Sequence, residues 1–272
     1  MLFLFYIQSN GVKIAVYDPA PSRKKVVLFI HGWPLSYKMY EYQVNLLLDK
    51  GYRPISIDLR GFGKSDMPAE GYSYNQMSAD IYNVVKALGL SNFTLVGYSM
   101  GGAIVLRYMN CFRGYGVNKL MLLAAAAPCW TQRQDFPYGL TKEAVNDLID
   151  LAEKDRPKLC ENFANMLFAS KHSNAVINWF EEIALSASGY GTIQTCISLR
   201  DEDGRADLLA VHVPTAIFQG DKDQVVPNSL TEYQHKHIKN SKLYTFANSG
   251  HGIVYDELEK FNETFMNFLE SK

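Results

Sequence analysis

Three stretches of the chain hold residue types that could act together on a carbonyl carbon. Ser99 lies in Val96-Gly97-Tyr98-Ser99-Met100-Gly101-Gly102, with a glycine two positions away on either side. Gly220-Asp221-Lys222-Asp223 offers two carboxylates, and Ser249-Gly250-His251-Gly252 offers an imidazole. A serine hydroxyl is a weak nucleophile until a base takes its proton. The base in turn needs an acid that fixes its tautomer and stabilises the imidazolium. Serine, aspartate and histidine occur here in that chain order, which is one of the known orders for such a relay.

The spacing Gly97-x-Ser99-x-Gly101 also occurs in plain glycine turns. What favours a nucleophile is the context: an apolar run before it and helix-compatible residues after it. A sharp strand-to-helix turn pushes the serine Oγ out of the sheet and needs small residues two positions away. The following helix aims its free N–H groups at the site, so the Met100 amide is placed to stabilise an oxyanion. A second donor is expected from Phe29-Ile30-His31-Gly32-Trp33-Pro34-Leu35-Ser36. There Gly32 lets the backbone approach closely, the Trp33 N–H can point at the oxyanion, and Pro34 restricts the backbone. His31, Gly32 and Pro34 are therefore expected to shape the pocket and position this loop, with the Trp33 ring as a wall.

Of the six histidines, four have plain readings. His172 lies on a polar stretch, His212 just precedes a strand, and His235 and His237 share a polar helix face. His251 directly follows the last apolar run, at the sheet edge where open α/β folds bind ligands. Between the two aspartates, Asp221 is placed to hold its own turn. Asp223, further into the loop, reaches the neighbouring loop that carries His251 and is the favoured acid.

These loops need a frame. Runs that are apolar throughout, Val26–Ile30, Pro54–Ile57, Phe93–Val96, Leu120–Leu123, Pro214–Phe218 and Leu243–Phe246, suit strands covered on both faces. Helical patterns at Met39–Leu48, Met77–Leu88 and Gly101–Tyr108 separate them, which predicts a mostly parallel sheet between helices. Leu2–Gln8 and Val12–Tyr17, joined through Asn10-Gly11, predict an opening hairpin. From Pro128 the strand signal fades and helical patterns such as Lys142–Glu153 and Pro157–Phe168 take over. Residues 1–127 and 211–272 are thus expected to form an α/β core, and 128–210 a helical cap over the C-terminal edge of its sheet.

The 272 residues include 47% hydrophobic ones, enough for a sizeable core. A net charge of −1 gives no field to draw nucleic acid or acidic lipid, so neither is an expected partner. The apolar opening, Met1–Ile7, lacks a basic flank and is far shorter than a membrane span. Cys111, Cys129, Cys160 and Cys196 form no CxxC pair and read as buried free thiols, which suits a reducing, cytoplasmic setting.

Taken together, His31-Gly32-Trp33-Pro34, Asp58-Leu59-Arg60-Gly61-Phe62-Gly63-Lys64-Ser65, Gly97-Tyr98-Ser99-Met100-Gly101-Gly102, Gly220-Asp221-Lys222-Asp223 and Ser249-Gly250-His251-Gly252 resemble the α/β-hydrolase superfamily. The first three, with Arg107-Tyr108, resemble its cofactor-free haloperoxidases, also called perhydrolases or arylesterases. The resemblance implies an eight-stranded, mostly parallel sheet with helices on both faces and a helical cap. It implies a triad of Ser99, Asp223 and His251, an oxyanion hole from the Trp33 and Met100 amides, and neither haem nor metal. The proline after the oxyanion tryptophan, Pro34, resembles the perhydrolase form. The Asp58–Ser65 stretch is a structural turn in that family, so Asp58 and Arg60 are expected to hold the fold. The expected activity is cleavage of a small-molecule carboxylic ester, with peracid formation from hydrogen peroxide as a side reaction, in a chain able to form homo-oligomers. Two alternatives remain: a carbon–carbon bond hydrolase using the same triad, and a ligand-binding signalling protein of slow turnover. Ser99 argues against the epoxide hydrolases and haloalkane dehalogenases, which share similar loops but need a carboxylate nucleophile.

Overall fold

The apolar runs become the strands of one sheet. In the computed structural model, which describes residues 4–271, all five residues of Val26–Ile30 are buried. The strands are β1 (Leu4–Ser9), β2 (Val12–Tyr17), β3 (Val26–Ile30), β4 (Arg53–Ile57), β5 (Phe93–Tyr98), β6 (Val117–Leu123), β7 (Thr215–Gly220) and β8 (Ser241–Phe246). They lie in the order β1-β2-β4-β3-β5-β6-β7-β8. β1 and β2 pair antiparallel, as do β2 and β4, and every other neighbouring pair is parallel. Asn10 and Gly11 both take positive φ, 49° and 81°, as a tight two-residue hairpin turn requires. The opening strand was expected from Leu2; its first two residues lie outside the described part of the chain.

Helices α1 (Glu41–Asp49), α2 (Tyr74–Ala87) and α3 (Met100–Cys111) connect the parallel strands. A 3-10 turn at Tyr37–Tyr40 precedes α1, so the helix starts two residues later than its apolar pattern suggests. α2 instead begins three residues earlier than expected, because the Ser73 side chain accepts a hydrogen bond from Gln76 N and caps the helix.

Between β6 and β7 stand α4 (Lys142–Lys154), α5 (Arg156–Met166), α6 (Asn174–Leu185), α7 (Gly189–Asp201) and α8 (Arg205–Leu209), which form the cap. Thr141, Asp155, Ser173 and Ser188 cap the first four of them. The segment before α4 is not helical: isolated bridges join Thr131 to Leu140 and Arg133 to Phe136. The chain ends with α9 (Asn228–His237), α10 (Ile253–Asp256) and α11 (Leu258–Glu270).

The cap is fastened to the core by specific bonds. Trp33 Nε1 donates to Thr192 O at 2.9 Å, and Ser188 N to Gly61 O at 2.8 Å. Arg107, on α3, reaches Asp207 at 2.7 Å, Glu202 at 3.2 Å and Asp203 O at 3.1 Å. Asp58 accepts from Tyr17 Oη, Tyr37 N and Lys64 N, while Arg60 forms a buried pair with Asp80 at 2.7 Å. Both residues thus act within the scaffold. Cys129, Cys160 and Cys196 are buried free thiols, but Cys111 is exposed. It is the last residue of α3, beyond the turns that press on the sheet. No helix among the described residues is long and apolar enough to cross a membrane.

Candidate active site

β5 ends at Tyr98 and α3 begins at Met100, leaving Ser99 alone at the bend. Its backbone sits at φ 52°, ψ −119°, a conformation that costs a non-glycine residue energy and recurs at functional turns. The neighbours explain how the bend is held. Ser99 N donates to Leu123 O at 2.9 Å, and Ser99 O accepts from Gly102 N at 2.9 Å and Ala126 N at 3.0 Å. A Cβ on Gly97 would lie 2.6 Å from Gly101 O, and one on Gly101 would lie 2.5 Å from the Ile30 and His31 carbonyls. Both positions demand glycine because backbone crosses backbone there.

The structure brings Ser99, His251 and Asp223 into one chain of contacts. His251 Nε2 is 3.0 Å from Ser99 Oγ, and His251 Nδ1 is 2.8 Å from Asp223 Oδ2. The Asp223 and His251 side chains are shut off from solvent, and Ser99 is 5% exposed. Asp223 Oδ1 accepts from Val225 N at 2.8 Å and Val226 N at 2.9 Å, so its own loop fixes the carboxylate plane. Asp221 is exposed, and its backbone holds the turn through Asp221 N to Phe246 O at 2.9 Å. The Tyr98 ring packs 4.9 Å from the His251 ring, and its hydroxyl donates to His251 O at 2.9 Å. Burial, with Asp223 nearby, pushes the Tyr98 hydroxyl well above the usual tyrosine range, so it stays a donor.

The loop after β3 reaches the same point. A Cβ on Gly32 would lie 2.8 Å from Ser99 Cβ, so the two backbones all but touch. Trp33 and Met100 are buried, yet among the described residues neither amide N–H has an acceptor. Buried N–H groups without partners are rare and call for an explanation. The Trp33–Pro34 peptide bond is cis. His31 does not face the pocket. Its Nδ1 donates to Gly32 O at 2.9 Å and its Nε2 accepts from Leu59 N at 3.0 Å, so the ring is neutral and fully used in holding the loop. Burial pushes the His31 pKa down, which agrees with that assignment.

One group at the site carried no signal in the sequence. Asp256 Oδ2 accepts from Gly250 N at 2.7 Å and Ala169 N at 2.9 Å, and its Oδ1 from Ser170 N and His172 Nε2, both at 2.9 Å. With Gly252 N donating to Leu167 O at 2.6 Å, this buried carboxylate ties the His251 loop to the end of α5 and the segment after it. His172 therefore belongs to this clamp. His212 is exposed, and His235 and His237 bond to Ser241 Oγ and Tyr233 O, away from the site. Among the described residues no group of three or more His, Cys, Asp or Glu could hold a metal ion.

The profile of the alpha/beta hydrolase fold family matches residues 25–258. The chain belongs to this family. The AB hydrolase superfamily protein YisY of Bacillus subtilis (strain 168) is 47% identical over 245 residues, covering 90% of this chain and 91% of that one. The esterase EaEST from Exiguobacterium antarcticum superposes with a TM-score of 0.96 at 45% identity, over 99% of this chain and 100% of that one. A bromoperoxidase from Bacillus anthracis superposes with a TM-score of 0.94 at 33% identity, over the same shares. Within the family, this α/β hydrolase is related to non-heme haloperoxidases, perhydrolases and esterases.

Proposed function

We propose that this α/β hydrolase cleaves small carboxylic esters through an acyl-enzyme on Ser99. The reading rests on one observation above all: the unbroken contact from Ser99 Oγ through His251 to Asp223, at 3.0 Å and 2.8 Å. Ser99 Oγ attacks the ester carbonyl while His251 Nε2 takes its proton. The carbonyl oxygen becomes an oxyanion between the Trp33 and Met100 amides, the buried donors that lack an acceptor. Collapse of the tetrahedral intermediate breaks the C–O bond, and His251 returns the proton to the departing alcohol. Water, deprotonated by His251, then releases the carboxylic acid and restores Ser99. Hydrogen peroxide in place of water releases a peracid, the side activity that kinship with perhydrolases supports. Asp223 holds the Nδ1 proton on His251 and stabilises the imidazolium. Likeness to the esterase EaEST favours esters over carbon–carbon bonds.

A chain-length series of p-nitrophenyl esters tests this reading, together with mass spectrometry after treatment with a serine-directed phosphonate. Steady turnover of acetate or butyrate and an adduct on Ser99 are expected. Ser99→Ala should abolish hydrolysis while the fold persists. A single slow turnover with retained acyl product would mark a ligand-binding protein, and an adduct elsewhere would refute the mechanism.

A further inference from the structure

Gln219 is the penultimate residue of β7, where the strand leads into the Asp223 loop. Its side chain is unused in the mechanism above, yet it is 1% exposed and aimed at that loop. Gln219 Nε2 lies 3.0 Å from Asn228 Oδ1, 3.1 Å from Val226 O, 3.2 Å from Gly220 O and 3.4 Å from Asp223 Oδ2. All four neighbours are acceptors, so the NH2 end must face them. Turning the amide over would set its oxygen against four oxygens. This orientation leaves Gln219 Oε1 buried with no hydrogen-bond partner among the described residues. A buried acceptor left unpaired is unfavourable, and the contacts of the NH2 group must outweigh it.

Those contacts all belong to the loop that carries the acid. Gly220 ends β7 and Asn228 opens α9, so one amide bridges both ends of the loop. Inside it, Val225 N and Val226 N donate to Asp223 Oδ1. The carbonyls of the same two residues are held from outside. Val225 O accepts from Trp130 Nε1 at 2.9 Å, and Val226 O faces Gln219 Nε2. Asp223 Oδ2, the oxygen that faces His251 Nδ1, is also the one that Gln219 meets. Two amide protons serve four acceptors, so Gln219 is a shared hub and not a single bond. Its positive end lies against a carboxylate shut off from solvent, where a fixed dipole counts for more than it would in water.

We propose that Gln219 is a positioning residue for the acid. Its amide fixes the loop and the Oδ2 edge of Asp223, and so keeps His251 in line with Ser99. The role rests on the ester-hydrolase reading of this site.

Gln219→Met, similar in length and without the donor, tests the proposal with p-nitrophenyl butyrate across pH. Gln234→Met is the control: it removes another buried amide, one that donates to Ala125 O and Ala127 O away from Asp223. Gln219→Met should lower kcat about five- to thirtyfold with KM within about twofold, the worth of one or two hydrogen bonds. The acid limb of its kcat/KM profile should move up by roughly half to one pH unit, because a less compensated Asp223 holds a proton on His251 more firmly. Tyr98 and Asp256, the other ionisable groups beside the pair, are the same in both proteins. Gln234→Met should lower the thermal midpoint and leave that limb in place. Gln219→Glu keeps the shape and serves should the methionine variant melt below the assay temperature. Its carboxyl offers an O–H only while protonated, so its kcat should fall further below wild type as pH rises. A kcat within about twofold of wild type in either variant would overturn the role, as would a loss of kcat in Gln219→Met with the acid limb unmoved. A wild type that neither turns over the ester nor takes a phosphonate on Ser99 would refute the ester reading itself. A reactive wild type beside an unaffected Gln219→Met refutes only the part given to Gln219.

Discussion

Replacing Asp223 by asparagine separates the electrostatic role of the carboxylate from its shape. In the native loop Oδ1 accepts two backbone hydrogen bonds, from Val225 N and Val226 N at 2.8 and 2.9 Å, while Oδ2 faces His251 Nδ1. An asparagine has only one oxygen. Turning its NH2 toward the two backbone amides would strand two buried donors at about 1–3 kcal/mol each. The oxygen therefore stays on the loop by about 2–6 kcal/mol, and the NH2 is presented to His251. Nδ1 must then become the acceptor, the ring proton moves to Nε2, and a donor instead of a base points at Ser99 Oγ. A relay blocked by the wrong tautomer loses about 10⁴-fold in kcat, or about 5.5 kcal/mol of barrier. Hydrolysis of p-nitrophenyl butyrate at saturating ester reads kcat, and a thermal melt checks that the loop bonds have kept the fold. Asp221→Asn, at the exposed neighbour, should stay within about twofold of wild type. Residual activity in Asp223→Asn above about 1% would refute the reasoning, since a carboxylate dispensable at that level is not setting the tautomer.

Three further outcomes are expected. Asp256→Asn places an amide where four donors converge, so it should loosen the His251 loop and lower kcat/KM about 10- to 100-fold; an Asn variant equal to wild type would refute the clamp. His31 has a folded-state pKa below its usual 6.5, so the unfolded chain binds the extra proton and stability should fall as pH drops below about 6.5; an NMR titration showing the His31 ring charging above that value would reverse the sign. Pro34→Leu should lower the ratio of perhydrolysis to hydrolysis, measured as peracid against acid from one ester, and an unchanged ratio would remove Pro34 from the account of side activity.

The local signals were legible in the chain because local physics produces them. Gly97 and Gly101 are forced by backbone crossings on either side of Ser99, and Asn10-Gly11 by two positive φ angles, so each leaves its mark on a few adjacent residues. Asp223 could be favoured over Asp221 because the residues between strand end and acid set its reach. Asp256 was not legible. It lies in Ile253-Val254-Tyr255-Asp256, an ordinary amphipathic turn, and gains its role from Ala169, Ser170 and His172, more than eighty residues earlier in the chain. Cys111 misled for a related reason: its type suggests burial, but the end of α3 projects past the sheet that buries the rest. His31 was expected to shape the pocket, but both of its ring nitrogens are engaged by backbone, so its visible part is to hold the loop.

The insertion of the cap between β6 and β7 has a consequence for synthesis. Ser99 and its free amide neighbours are made early, while 152 residues separate Ser99 from His251. At about 5–20 residues per second the imidazole follows the serine by roughly 8–30 s. The last strands, β7 and β8, dock on the far side of β6, and only then does His251 come within reach of Ser99. Under the proposed mechanism Ser99 therefore lacks its base until the cap, β7 and β8 have all been made.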